Sequence, residues 1–599
     1  MTRAMGLRRC LLFLALALIL ALAVAPGVFA KAKGVKADTV LINGKIITVD
    51  ANDSIARAVA IKDGRIIAVG TRNQIRPYMN ARTVVIDLHG RTATPGMIDT
   101  HGHFNGADLL YSLDLSVLQV SSIEDVKAKI AAQCDLVGPG EWVQGSKWAA
   151  VHLAEHRPIY ASDLDPVSPD NPVFLLETSY HQATANSYAL ELAGIDASTP
   201  DPPGGLIDRD ADGNPTGLLK ESAVWWVAAM IPPYTQEQVT EGTRFFGPFA
   251  NSVGVTSILY AGPSDAVWDA FSEVNADGDL SVRTGMLWSS PDTLEDSEAV
   301  IDEVGPRIHP YDKDDDMLWV QGIKMFLDGA QDAGTHWSWE EQFTDFTTPN
   351  PGWYGMPTMD PDLYRAQVKL YHDAGLHVQT HAIGDRAIDW ALGSYLAAEE
   401  ANPIYGLRHA IIHCDIPTDE ALQTLVDLQR DYDAGFVQTS PDFMWWTEVI
   451  ASTMGPELSL REMPYRTYEN LGISYSFGTD WSVDPLDPKY NIWSAITRDT
   501  LIGLYGEHPF GLDECIDVHE AMRAATRSGA HLLFMEDDIG SVEVGKYADI
   551  AIWDKDWYKA TTDEIFDMNC EMTLVGGETV YMADETPITV SRLGKGALR

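Results

Sequence analysis

Apolar and polar residues alternate with a period of two near both ends of the chain, the signature of half-buried strands. Residues 38–50 (DTVLINGKIITVD) and 58–70 (AVAIKDGRIIAVG) each read as antiparallel strands broken at Asn43-Gly44 and Asp63-Gly64, dipeptides that favour tight hairpin turns. The same pattern returns in 539–553 (IGSVEVGKYADIAIW) and 572–582 (MTLVGGETVYM). The two chain ends therefore predict one small β-sandwich domain, over residues 31–91 and 535–599.

Between them the pattern changes. Short apolar runs at 93–99, 256–260, 280–287, 318–326, 376–381, 407–413, 434–438 and 474–479 alternate with helical stretches. Strand and helix in alternation imply parallel βα units, and this number of them fits an α/β fold of the (β/α)8 type, whose chemistry sits at the C-terminal ends of the strands. The barrel is assigned to residues 92–118 and 236–534. More than a hundred residues separate the first two strands, too many for a βα loop. Residues 119–235, rich in Pro and Gly near 200–205 (PDPPGG), are read as an inserted subdomain that covers the barrel mouth.

A chain of 599 residues exceeds the size at which one core keeps growing, which agrees with several domains. Its first residues carry Arg3, Arg8 and Arg9, an apolar run from Cys10 to Ala25, and Val28-Phe29-Ala30, where small residues suit signal peptidase. Residues 1–30 are read as a cleaved signal peptide, because the run falls short of the roughly 20 residues a membrane span needs. The mature protein is then exported, periplasmic or extracellular, without stable membrane insertion. Arg8-Arg9 permits twin-arginine as well as Sec export.

The formal net charge of −45 excludes nucleic acid as a natural partner. The expected partner is a small-molecule substrate, and a homo-oligomer is left open. Only 312–316 (DKDDD) forms an acidic run, read as a solvated loop. Cys134, Cys414, Cys515 and Cys570 are widely spaced, so neither a disulfide scaffold nor a thiolate zinc site follows, although a single bridge stays open.

The chemistry-bearing residues cluster at predicted strand ends. PGMIDTHGHF (95–104) places His101 and His103 two apart, facing the same way, where two neutral imidazoles can hold one metal ion. In QGIKMFLDG (321–329), Lys324 lies within an apolar strand, and a buried ammonium needs compensation. It either reaches solvent or a carboxylate, or it is carbamylated by CO2 and becomes a carboxylate able to bridge two cations. His381 and His413 end two neighbouring strands, in LHVQTHAIGDRAI and LRHAIIHCDIP. SYSFGTD ends its strand in Asp480, which reads as a helix N-cap or as a metal-binding carboxylate that takes a proton from attacking water.

In this order, H-x-H, Lys, His, His and Asp, the chain resembles the amidohydrolase superfamily. More narrowly it resembles amidohydrolase family 3, the group that includes N-substituted formamide deformylase. The narrower resemblance rests on YHQATANSYALELAG (180–194), GNPTGLLKESA (213–223), THAIGDRAID and GSVEVGKYADIAIWD, and runs from about Asp38 to about Met582. It implies a ligand set of His101, His103, Lys324, His381, His413 and Asp480 around one or two divalent metals, zinc by default. It also implies that His181, in the insert, reaches over the metal toward substrate, beside the alternative of a structural hydrogen bond within the insert.

Two departures from the family pattern bear on substrate choice, because loops after strands make that choice. The chain reads DGAQDAGTH (328–336) where relatives are Gly-Ser-rich, and Ile412 stands where a glutamate is common. Trp337, Trp339, Trp353, Trp445 and Trp446 would suit an aromatic substrate, or serve ordinary packing. The expected activity is hydrolysis of a C–N bond in an amide, formamide, carbamate or cyclic amide. Asp480 moves the proton, and His181 or His413 steadies the oxyanion. The rivals are another reaction at the same metal site (esterase, deaminase, isomerase or decarboxylase) and a non-catalytic binding or regulatory protein.

Overall fold

The computed structural model describes residues 34–117, 119–305 and 315–592. The predicted signal peptide, and all of the acidic run except Asp315 and Asp316, lie outside the described residues. No helix among the described residues is long and apolar enough to cross a membrane.

Eight strands form one all-parallel sheet in strict chain order. They are β1 (Met97–Gly102), β2 (Val255–Ala261), β3 (Arg283–Ser289), β4 (Leu318–Phe326), β5 (His377–Ala382), β6 (Ala410–His413), β7 (Phe436–Thr439) and β8 (Tyr475–Phe477). Sequential order and parallel pairing are those of a TIM barrel. The seam between β8 and β1 closes through Thr100, whose hydroxyl donates to Phe477 O at 2.8 Å, and through Asp480 N–H to His101 O at 2.9 Å. Gly478 makes this approach possible, since a Cβ there would lie 2.6 Å from His101 N.

The run expected as one strand over 93–99 is two. Thr92–Pro95 pairs antiparallel with Ile550–Trp553 in a separate sheet, and β1 begins at Met97. Pro95 has no N–H to continue a ladder. At Gly96, where the chain crosses between the sheets, a Cβ would meet Thr256 Oγ1 at 2.1 Å, so only glycine fits.

Thr92–Pro95 belongs to a six-stranded sheet built from both chain ends, and a five-stranded sheet that includes Thr589–Arg592 faces it. Leu41, Val59, Ile61 and Ile86 from one sheet and Ile46, Ala93, Ile550, Ile552, Met572 and Leu574 from the other share one buried core, which makes the pair a sandwich. Arg283 at the start of β3 joins barrel to sandwich. Its Nε lies 2.7 Å from Asp549 Oδ2, and both side chains are buried.

The residues between β1 and β2 form a further six-stranded sheet, from Leu113–Asp114 to Pro215–Glu221, with its own apolar core around Trp148, Val143 and Ile130. This insert rests on the barrel loops. Thr178 Oγ1 donates to Val483 O at 3.2 Å, the Tyr180 hydroxyl bonds Ser482 Oγ, and Lys220 Nζ donates to Ala333 O at 3.0 Å.

Candidate metal centre

Each chemistry-bearing residue singled out in the barrel ends up at the C-terminal mouth. His101 is the fifth residue of β1 and is fully buried, and His103 lies just beyond the strand, on the same side by strand alternation and half-exposed. Lys324 lies within β4, His381 in β5 and His413 at the end of β6, all buried. Asp480 follows β8.

Three of the imidazoles face Asp480. His101 Nε2 is 3.2 Å and His103 Nε2 3.6 Å from Asp480 Oδ1, and His413 Nε2 is 3.7 Å from Asp480 Oδ2. Lys324 Nζ is 3.5 Å from His101 Nε2, and His381 Nδ1 is 3.1 Å from His413 Nε2. His413, Cys414 and Asp480 all take positive φ (76°, 51° and 50°), an unfavourable backbone for residues with a side chain and one that recurs at functional sites.

Neighbouring groups orient these rings. His381 Nε2 faces Gly329 O at 3.2 Å, so that nitrogen carries the proton and Nδ1 presents its lone pair. Asp99 accepts from Thr479 Oγ1 at 2.6 Å and from His101 N at 3.2 Å, holding β1 to the turn that carries Asp480. Asp328, buried after β4, accepts from Trp337 N, Gly384 N and Ile383 N at 2.8–3.0 Å and so ties the loops after β4 and β5 together.

The electrostatics favour neutral nitrogens around an anionic carboxylate. Burial, and then Lys324, push His101 down to about 3. Burial lowers Lys324 to about 7, against the pull of Asp480. Burial opposes ionisation of Asp480, but His101, His103 and His413 outweigh it and hold the carboxyl well below its usual range. Asp480 Oδ1 is buried without a hydrogen-bond donor. Three donor atoms, from His101, His103 and Asp480, lie within 4.8 Å of one another, a set that fits a divalent cation of the zinc type.

His181 comes in from the insert. Its ring centroid is 5.4 Å from that of His381, and its Nδ1 is 2.8 Å from Glu221 Oε2. Burial alone would lower its pKa, but Glu221 outweighs burial and raises it to about 9. Glu221, Asp99 and Asp328 escape a reading of the sequence, because nothing local in LLKES, MIDTH or FLDG distinguishes a supporting carboxylate from a surface one.

The cavity over these groups is small, about 30 Å³, and its walls include His181, Gln331, Asp332, Ile383, Phe443 and Val483. None of the five tryptophans considered for substrate binding lines it. Trp445 stacks on Tyr490, and Arg386 lies over both Trp337 and Trp339. Larger clefts of about 430 and 480 Å³, beside Arg523 and beside Arg57, lie away from the candidate ligands.

A second histidine cluster shows what a satisfied arrangement looks like. Val378 N–H donates to His409 Nδ1 at 3.1 Å, so the proton of His409 sits on Nε2 and goes to His372 Nδ1 at 2.9 Å. His372 Nε2–H then goes to Asn402 O at 2.8 Å. Every ring nitrogen is spent, and none is left to hold an ion although Glu399 is adjacent. The four described cysteines carry no disulfide.

Known proteins share this architecture. The chain is 29% identical over 556 residues to N-substituted formamide deformylase of Arthrobacter pascens, covering 91% of this chain and 98% of that protein. It is 28% identical over 566 residues to the LONG AFTER FAR-RED 3 protein of Arabidopsis thaliana, covering 92% of each. The solved structure of an uncharacterized metal-dependent hydrolase from Pyrococcus horikoshii OT3 has the same fold, with a TM-score of 0.67 at 22% identity over 88% of this chain and 99% of that one. A family model described as the amidohydrolase family matches residues 84–581, a span that takes in the barrel, the insert and part of the sandwich. By that match, which agrees with the motifs at the strand ends, the chain belongs to amidohydrolase family 3.

Proposed function

We propose that the chain is an exported, metal-dependent amidohydrolase that cleaves the C–N bond of a small amide, N-substituted formamides being the first class to test. The observation that carries the reading is the clustering of His101, His103 and His413 around the Asp480 carboxylate at the barrel mouth, with Lys324 beside His101 and His381 beside His413. The substrate class follows the relative named N-substituted formamide deformylase, which aligns over nearly the whole chain. Export follows from the leader-like residues 1–30.

His101, His103, His381, His413 and Asp480 would hold one or two divalent ions, zinc by default, and a carbamylated Lys324 would add a further anionic ligand. Bound there, such an ion polarises the scissile carbonyl and makes water acidic enough to attack near neutral pH. In carbamylation the neutral Lys324 amine attacks CO2, forms an N–C bond and releases one proton. Burial favours the neutral amine that this needs.

Asp480 accepts the proton of the attacking water on a carboxylate oxygen and returns it to the leaving nitrogen, so that amine and acid depart. His181 faces the same cavity and donates a hydrogen bond to the carbonyl oxygen as negative charge develops on it. Phe443, Ile450 and Val483 supply an apolar part of the cavity wall. A panel of formamides, N-acyl amino acids, carbamates, cyclic amides and esters, run on metal-loaded protein, tests the reading. Turnover of formamides is expected, and turnover confined to esters or absent altogether would overturn it.

A further inference from the structure

Glu221 ends the last long strand of the insert, at 5% exposure and with φ +50°, a backbone conformation that a glutamate adopts only when its surroundings impose it. Its two carboxylate oxygens are spent in different directions. Oε2 lies 2.8 Å from His181 Nδ1, and Oε1 accepts from the Thr335 hydroxyl. Thr335 belongs to the loop after β4, and its Oγ1 in turn accepts from Ala330 N at 3.1 Å. The packing leaves no slack, since a Cβ on Gly329 would lie 2.2 Å from Thr335 Oγ1 and 2.5 Å from Glu221 Oε1.

This arrangement has two consequences for His181. With Nδ1 committed to the carboxylate, the ring cannot flip without losing a charge-assisted hydrogen bond, so Nε2 is the nitrogen left for the cavity that His181 helps to wall. The carboxylate that fixes the ring is itself fixed by the barrel, through Thr335. The ring therefore points correctly only while the insert is seated on the β4 loop.

We propose that Glu221 is the positioning residue of His181, and that the Glu221–Thr335 hydrogen bond makes seating of the insert a condition for a competent site. The proposal rests on the hydrolase reading above for its kinetic consequence, but not for its structural one. Carboxylates that orient a metal-binding histidine typically account for about 10- to 100-fold in activity, and a loss of the same order is expected for His181. Glu221→Gln keeps the shape of the side chain but removes the charge and turns one of its two acceptor positions into a donor, and Thr335→Val removes only the hydroxyl.

The closing experiment combines two measurements on zinc-loaded wild type, Glu221→Gln, Thr335→Val and His181→Asn. Proton NMR looks for a downfield imidazole N–H resonance, as expected for Nδ1–H held by a carboxylate. The resonance should be present in wild type, absent in His181→Asn and Glu221→Gln, and weakened in Thr335→Val. Hydrolysis of N-benzylformamide gives the second readout. Glu221→Gln should lose about 10- to 100-fold in kcat, with KM little changed and zinc content intact. Absence of the resonance from wild type, or its survival in Glu221→Gln, would overturn the proposal whatever the activity. A resonance that behaves as expected in a protein that hydrolyses no amide would leave the positioning intact and reject the hydrolase reading instead. Loss of zinc from Glu221→Gln would assign the residue to folding of the site and also overturn the proposal.

Discussion

Lys324 Nζ lies 3.5 Å from His101 Nε2, and both groups are buried at the bottom of the barrel mouth. A charged ammonium there would repel any cation held by His101, whereas a carbamate would attract one. Lys324→Ala is therefore expected to lose both metal and activity, and a short carboxylate such as propionate should restore part of each. Elemental analysis of the variant checks this, with full metal retention as the opposing result.

Asp480 has two duties in this account, binding metal and moving a proton. Asp480→Asn keeps an oxygen ligand and removes the base, so most of the metal should stay while kcat falls by about 10²–10⁴-fold. His101→Asn should lose metal as well as rate. Near wild-type kcat in Asp480→Asn would remove the proton-transfer role; a helix cap is not the alternative, because the next helix starts at Pro488 and is capped by Asp487.

The buried Arg283–Asp549 pair holds the barrel to the sandwich, with Nη2 to Oδ1 at 3.2 Å as the second contact and Gly576 N–H donating to the same Oδ1 at 2.7 Å. Arg283→Met leaves that carboxylate buried without its counter-charge, and should cost about 3–5 kcal/mol. Arg283→Met combined with Asp549→Leu should recover much of the loss. Thermal unfolding of the two variants gives the comparison, and equal destabilisation would contradict it.

A network around Glu536 predicts a pH dependence. Arg408 lies 2.6 Å and His531 3.5 Å from its Oε1. Burial opposes the shift, but His531 and Arg408 outweigh it and hold Glu536 well below its ordinary 4.5. Its contribution is thus present above 4.5 and is lost as pH falls below that value. For His531, burial again opposes, and Asp433 and Glu536 prevail to raise it above 6.5. That contribution is full below 6.5 and is lost as pH rises through the folded value. The Tm gap between wild type and Glu536→Gln should be widest between these limits and should close in acid. A gap that does not vary with pH would rule the network out as its source.

The barrel was readable because its strands are short apolar runs separated by helices, and the candidate ligands were readable because they close those runs. The split at Pro95-Gly96 was written in the sequence as well, since proline cannot donate to a ladder, yet the apolar residues on either side read as one strand. Glu221 was not readable. Its partners are His181, 40 residues before it, and Thr335, 114 residues after it, and only the seating of the insert brings them together. The tryptophans left two readings open for a related reason. Composition says that aromatic surface exists, but packing decides whether it faces a cavity, and Trp445 and Trp446 are buried against each other and their neighbours.

The central claim is that hydrolysis depends on a divalent ion held at the barrel mouth, and one titration tests it most directly. Protein stripped with a chelator is titrated with zinc in the presence of bicarbonate, while bound zinc and the rate of formamide hydrolysis are followed together. The account predicts no rate without metal, then a rate that rises with uptake and saturates at roughly one to two equivalents per chain, as mono- and two-metal sites require. His101→Asn should show neither uptake nor rate. A stripped protein that keeps its full rate, or a wild type that takes up no metal at all, would contradict the account.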